Sequence, residues 1–195
     1  MPAGAGKHLA MYNFGLHIAA YESAVVEGFR LREAANFEAA ARAHGFIGRS
    51  GYAGEPDTPC WGQQVFPRFI EGSGFQTAPS SLSLWADIES LMAFTYSGVH
   101  ADALKGARHW NVRQNWPPLV LWWVDHRTIP EWKDGVERLE HLYDHGAGPA
   151  AFSFKQPYGP DGQTREIDRL RIKEIVARNA IGQAELLAHV LTLKV

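Results

Sequence analysis

The sequence predicts an α+β fold, because strand-like runs alternate with runs of helical spacing in the order β-α-β-β-α-α-β-α-β-α. Pro- and Gly-rich stretches punctuate that order. At 195 residues with 46% hydrophobic content, the chain is long and apolar enough to build a substantial core.

His8–Phe14 alternates Leu9, Met11 and Asn13 against His8, Ala10, Tyr12 and Phe14, which reads as the first strand. Glu27–His44 has helical spacing, with Phe29, Ala34, Phe37, Ala40 and Ala41 near one face and Gly45 closing it. Phe46–Tyr52 is a second, short strand. Segment 51–80 carries Pro56, Pro59, Pro67, Pro79 and five glycines. It is longer than ordinary connections, so it reads as an insertion or lid over a pocket, interrupted by a short strand at Gln64–Pro67.

Ser81–Trp85 is a strand with Leu82 and Leu84 on one face and Ser81, Ser83 and Trp85 on the other. Asp87 caps the helix that follows, Ser97-Gly98 breaks it, and Val99–Trp110 resumes as a second helix. Leu119–Asp125 is apolar on both faces, as a central strand requires. Pro130 opens a helix whose stripe is Ile129, Trp132, Val136, Leu139, Leu142 and Tyr143. Ala151–Phe154 is a last strand, and a terminal helix broken near Gly182 completes the chain.

Stripped of insertion and tail, the order contains β-α-β-β-α-β, the ferredoxin-like pattern. Such a sheet has helices on one face. The other face is expected to meet the sheet of a second copy across a two-fold axis, giving a dimeric α/β barrel. The expected division is a barrel domain over 1–160 and a C-terminal helical extension over 161–195.

Composition excludes several classes. Net charge is −2 with no basic stripe, against a nucleic-acid footprint. No apolar run approaches the roughly 20 residues of a membrane helix. Met1–Lys7 leads into no apolar core of a signal peptide. One cysteine, Cys60, excludes an internal disulfide and fits a reducing, cytoplasmic setting; it is expected to be an ordinary loop or packed residue.

Seven Trp, six Tyr and ten Phe equip the chain for cores, dimer interfaces or flat-ligand pockets. His100 is the candidate proton-transfer group, since an imidazole titrates near neutral pH. Tyr96 is placed to donate to a developing oxyanion. Arg108 or His109 is placed to hold an anionic or phenolic group. Trp85, Trp110, Trp122 and Trp123 are candidates for enclosing a ring; Trp122 and Trp123, adjacent on a strand, point to opposite faces. Which of the two faces the helices depends on register. Glu137, His141 and His145 recur at helical spacing, but no HExxH accompanies them, so no metal site is expected. His17 lies in the first connector, within reach of a pocket mouth.

The stretch SLSLWADIESLMAFTYSGVHADALKGARHW (Ser81–Trp110) resembles a bacterial family catalogued as domain of unknown function 3291. The matching residues are Ser83, Trp85, Glu89, Leu91, Phe94, Tyr96, His100, Arg108 and Trp110. LVLWWV, ERLEHLYDHG (Glu137–Gly146) and the Phe152/Phe154 pair extend the likeness over most of Lys7–Phe154. The resemblance implies the dimeric α/β-barrel superfamily, whose members include antibiotic-biosynthesis monooxygenases, polyketide cyclases, dehydratases and haem enzymes. It implies a fold and not one activity.

The expectation is therefore a homodimeric, cytoplasmic enzyme of secondary or catabolic metabolism. It would act on an apolar or aromatic metabolite without a cofactor, by monooxygenation or by acid–base chemistry such as cyclisation, isomerisation or dehydration. The alternatives are a haem enzyme with His100 or His109 as axial ligand, and a non-catalytic binding or assembly protein whose tail embraces the partner subunit.

Overall fold

A computed structural model describes residues 6–194. Met1–Ala5, most of the segment read as lacking a signal peptide, and Val195 lie outside the described residues. Within them are four strands, β1 (Lys7–Phe14), β2 (Phe46–Arg49), β3 (Ser80–Trp85) and β4 (Leu119–Asp125). The α-helices are α1 (Glu27–Ala41), α2 (Ile88–Thr95), α3 (Gly98–Trp110), α4 (Trp132–His145), α5 (Arg169–Gly182) and α6 (Ala184–Val190). Two compact units form. One takes residues 6–15, Ile47–Ala86 and Gln114–Ile167; the other takes Leu16–Phe46, Asp87–Arg113 and 168–194.

The first unit is built on an open sheet of order β2-β3-β1-β4, with β1 antiparallel to both β3 and β4. The register places Ala10 opposite Leu84 and Trp122, and Tyr12 opposite Leu82 and Val120. These residues and Phe14 form one apolar face. Trp132, Val136, Leu139 and Leu142 of α4 pack on that face, because they recur at helical spacing on one side of the helix. Gly135 has no side chain where α4 crosses β1: a Cβ there would lie 2.6 Å from the Tyr12 ring. Tyr52, Trp61, Val65, Phe66, Phe69 and Ile70 of the long segment complete the cover. The opposite face, with Leu9, Trp85 and Leu121, is buried as well.

Four expectations for this unit change. Leu119–Asp125, read as a central strand, is an edge strand of the sheet. Gln64–Pro67 is no strand; the segment's regular element is a single 3-10 turn at Arg68–Ile70. Ala151–Phe154 is no strand either. Phe152 exchanges two hydrogen bonds with Leu121 (2.8 and 2.9 Å), but turns at Gly148–Ala151 and Ser153–Gln156 bracket it and stop the ladder. Ile129 precedes α4 and is exposed, so it is not part of the helix stripe.

The second unit is helical. α5 packs on α2, and α6 packs on α1 and α3. Asp87 caps α2 as expected, accepting from Ser90 N at 2.8 Å. The buried side of α1 is Gly28, Arg32, Ala35, Ala39 and Ala40. Of the expected face, Phe29, Ala34, Phe37 and Ala41 are not in that buried set. A charged residue at position 32 conceals the true face from any apolar pattern. Arg32 is buried because Asp102 and the carbonyls of Gly28, Leu193 and Lys194 satisfy its guanidinium.

Candidate functional site

His100 lies in the first turn of α3. The chain reaches it through Gly98, whose φ of +55° is a left-handed conformation that glycine adopts without strain. Its Nδ1 sits 2.9 Å from the carbonyl oxygen of Thr95. A carbonyl only accepts, so Nδ1 carries the proton and Nε2 carries the lone pair. The Phe94 ring lies 4.9 Å away. Burial holds the imidazole below its ordinary pKa, and the Thr95 hydrogen bond offsets part of that. A neutral imidazole with one fixed tautomer is the form a general base requires.

Tyr96, the C-cap of α2, is 58% exposed. Partial burial raises its phenol, which keeps it a neutral donor at physiological pH. Arg108 and His109 pair with each other, Arg108 Nε donating to His109 Nε2 at 3.2 Å on the exposed side of α3. Eight residues of helix separate Arg108 from His100, about 12 Å along the axis. The structure therefore does not bring Arg108 and His100 together around one small group.

Trp110 is buried, and its indole fills a slot made by two glycines. A Cβ at Gly28 would lie 2.8 Å from Nε1, and one at Gly106 2.4 Å from the ring. Trp110 is thus a packing element of the second unit. Trp85, Trp122 and Trp123 belong to the first unit. Trp122 faces α4, with the Arg138 guanidinium 5.0 Å from its ring. Trp123 points to the other face and donates from Nε1 to Tyr158 O at 2.8 Å. Trp85 donates to Ser83 Oγ at 3.0 Å and is fully buried.

Sequence reasoning undervalued His17. It is 6% exposed, and its Nδ1 lies 2.8 Å from Asn111 Oδ1. Backbone bonds Ile18 N to Trp110 O and Val112 N to Leu16 O, both 2.9 Å, hold the two side chains opposite each other. Its Nε2 is buried with no hydrogen-bond partner among the described residues. Burial lowers its pKa, against the Asn111 bond. No spacing rule links positions 17 and 111, so the sequence carries no signal for this pair.

His141 and His145 stack at 4.5 Å on α4. Among the described residues no group of three or more His, Cys, Asp or Glu side chains is arranged to hold a metal. Cys60 is exposed and donates to Gly62 O at 2.9 Å. No helix is long and apolar enough to cross a membrane.

Glu89, one of the motif residues, is 1% exposed and accepts from the backbone N of Asp168 at 3.2 Å. Asp168 in turn caps α5 through Leu170 N and Arg171 N, both at 3.0 Å. A motif position thereby fixes the start of the C-terminal helices.

No curated protein and no solved structure matches the chain. One family model does, Domain of unknown function (DUF3291), over residues 8–168. That match spans most of the sequence and ends where α5 begins, so the chain belongs to this family, and α5 and α6 lie beyond the family's matched region.

Proposed function

We propose that this protein performs acid–base chemistry on a small organic molecule, with His100 as the base. The observation that carries the reading is the Nδ1–Thr95 contact, which fixes the tautomer while burial keeps the ring neutral. Tyr96 supplies a neutral phenol beyond the α2–α3 break, suited to polarising an oxygen. Cyclisation, isomerisation, dehydration or cofactor-independent oxygenation of an apolar or aromatic metabolite fits these parts. Arg108 and His109, at the far end of α3, contribute an anion contact and no proton transfer. A reducing, cytoplasmic setting suits the exposed thiol of Cys60.

The strand order supports the ferredoxin-like reading: β3 lies between β1 and β2, and β1 between β3 and β4, as two interleaved split βαβ units require. Pairing of two copies into a barrel has less support, because both faces of the sheet are already covered, the Tyr12–Trp122 face by α4 and the opposite face at Leu9, Trp85 and Leu121. A homodimer would use other surface.

The haem alternative has one observation in its favour. A ligating imidazole commonly donates its second N–H to a carbonyl, as His100 does. Native mass spectrometry with an ultraviolet–visible scan separates the readings. A Soret band transfers His100 from base to ligand, and a colourless protein supports acid–base chemistry. A screen of aromatic metabolites then identifies turnover, which His100→Gln is expected to reduce by about 100-fold or more. Unchanged turnover in that variant overturns the proposal.

A further inference from the structure

α5 is apolar on two sides. Its inner side buries Ile175 and Asn179, keeps Ile172 and Val176 half-buried beside them, and packs on α2. Its outer side carries Leu170, Ala177 and Ile181, which recur at i, i+7 and i+11 and so share one face. Leu170 is 72% exposed and Ile181 85%, more than any other large apolar side chain among the described residues. The outward face of a surface helix is ordinarily polar, so this stripe calls for a partner. Basic side chains flank it. Arg169 and Lys173 lie along one edge and Arg178 along the other. All three are exposed, and none pairs with a carboxylate among the described residues. Arg171, farther round the helix, is engaged by Asp87. α5 thus bears four basic residues and one acidic, in a chain whose net charge is −2.

We infer that the outer face of α5 docks on a bilayer surface rich in anionic lipid, with Leu170 and Ile181 entering the headgroup layer and Arg169, Lys173 and Arg178 meeting its phosphates.

Charge selects the occupant. A second copy of the chain would set these cations against their own images, which like-charge repulsion opposes. An anionic surface complements them. Shape selects a bilayer over a protein. A stable protein interface buries about 800 Å² on each partner around a well-packed centre. Here the centre of the stripe is Ala177, and the two large side chains stand about 16 Å apart along a convex helix. A lipid surface needs no matching pocket. An apolar stripe edged by cations is the arrangement of helices that lie in the headgroup layer. Long basic side chains bury their stems beside the apolar residues while their charges reach the phosphates. Glu174 is the exception on this face. It stands one turn before Arg178, at the i,i+4 spacing in which a basic residue offsets an acidic one.

The test is co-sedimentation of the full chain with vesicles of phosphatidylcholine alone and of phosphatidylcholine with about 30% phosphatidylserine. Binding is expected to be about tenfold or more tighter to the anionic vesicles, and to weaken as salt is raised. Ile181→Ser and the Arg169→Gln/Lys173→Gln double variant are each expected to lower it by about tenfold. These side chains are exposed, so Tm should hold. Glu174→Gln is expected to raise affinity by about threefold, a gain that no folding defect produces. Equal binding to both vesicles, or binding to neither, overturns the inference. Binding that Ile181→Ser leaves unchanged is charge attraction alone and overturns it too. Self-association that Ile181→Ser abolishes would assign the stripe to a second copy. Capture of an acidic helical peptide of Leu–Glu heptads, without vesicle binding, would assign it to a protein segment. Either result overturns the lipid reading.

Discussion

Arg32 Nε donates to Asp102 Oδ2 at 2.8 Å from a guanidinium that is only 3% exposed. Its remaining N–H groups reach the carbonyls of Gly28 and Lys194 at 2.9 Å and Leu193 at 3.2 Å, so one side chain joins α1, α3 and the C-terminal end. Asp102→Ala would leave that cation buried without its carboxylate. A loss of about 3 kcal/mol is expected in urea unfolding. Arg32→Lys should also destabilise, because an ammonium cannot reproduce the planar fork. A change below about 1 kcal/mol for Asp102→Ala would show that the carbonyls alone satisfy the guanidinium.

Gly106→Ala inverts the usual helix rule. In an exposed helix interior, alanine is favoured over glycine by about 1 kcal/mol. At position 106 a new Cβ would meet the Trp110 ring at 2.4 Å. Overpacking of about 1–3 kcal/mol is expected instead. Gly28→Ala meets the same indole at 2.8 Å and should act in the same direction. Thermal unfolding of both variants checks the sign, and a raised Tm would mean that the indole slot is loose.

His17 and His100 both sit below the ordinary histidine value of 6.5 because of burial. The unfolded chain therefore binds protons that the native state does not as pH falls below about 6.5. Stability is full above that pH and declines below it. Urea midpoints at pH 7.5 and 5.5 should show the decline, and the His17→Gln/His100→Gln double variant should flatten it. An equal slope in the double variant would assign the acid sensitivity to other groups.

The tail is expected to be integral to the second unit. Ile175 of α5 and Val190 of α6 are buried, His44 N donates to Asn179 Oδ1 at 2.9 Å, and Gln183 Nε2 donates to Ala39 O at 2.8 Å. Asp168→Ala removes the α5 cap and should cost about 1 kcal/mol. Deleting residues 169–195 should bring aggregation or loss of cooperative unfolding, seen by light scattering and circular dichroism. A soluble, cooperatively folding deletion would make the tail an accessory.

The four strands and the helices were legible because their apolar spacing is local. β1 and β3 have the faces that alternation assigns, and α4 buries Trp132, Val136, Leu139 and Leu142 as its stripe predicts, whereas β4, apolar on both sides, lies at the edge of the sheet and not at its centre. The Asp87 cap and the break before α3 follow from side chains within three or four residues. Pattern failed where a polar group is buried by distant partners. Arg32 hid the true face of α1, since its acceptors come from positions 28, 102, 193 and 194.

The sequence by itself determined the element order, the family likeness on Ser83–Trp110 and the opposite orientations of Trp122 and Trp123, since a strand alternates its side chains whatever it packs against. Only tertiary structure decided which tryptophan meets α4, that Asn111 orients His17, and that Asp102 and the carbonyls of Leu193 and Lys194 satisfy Arg32. Those relations join residues on different elements, and no local periodicity records a contact that the folded chain alone creates.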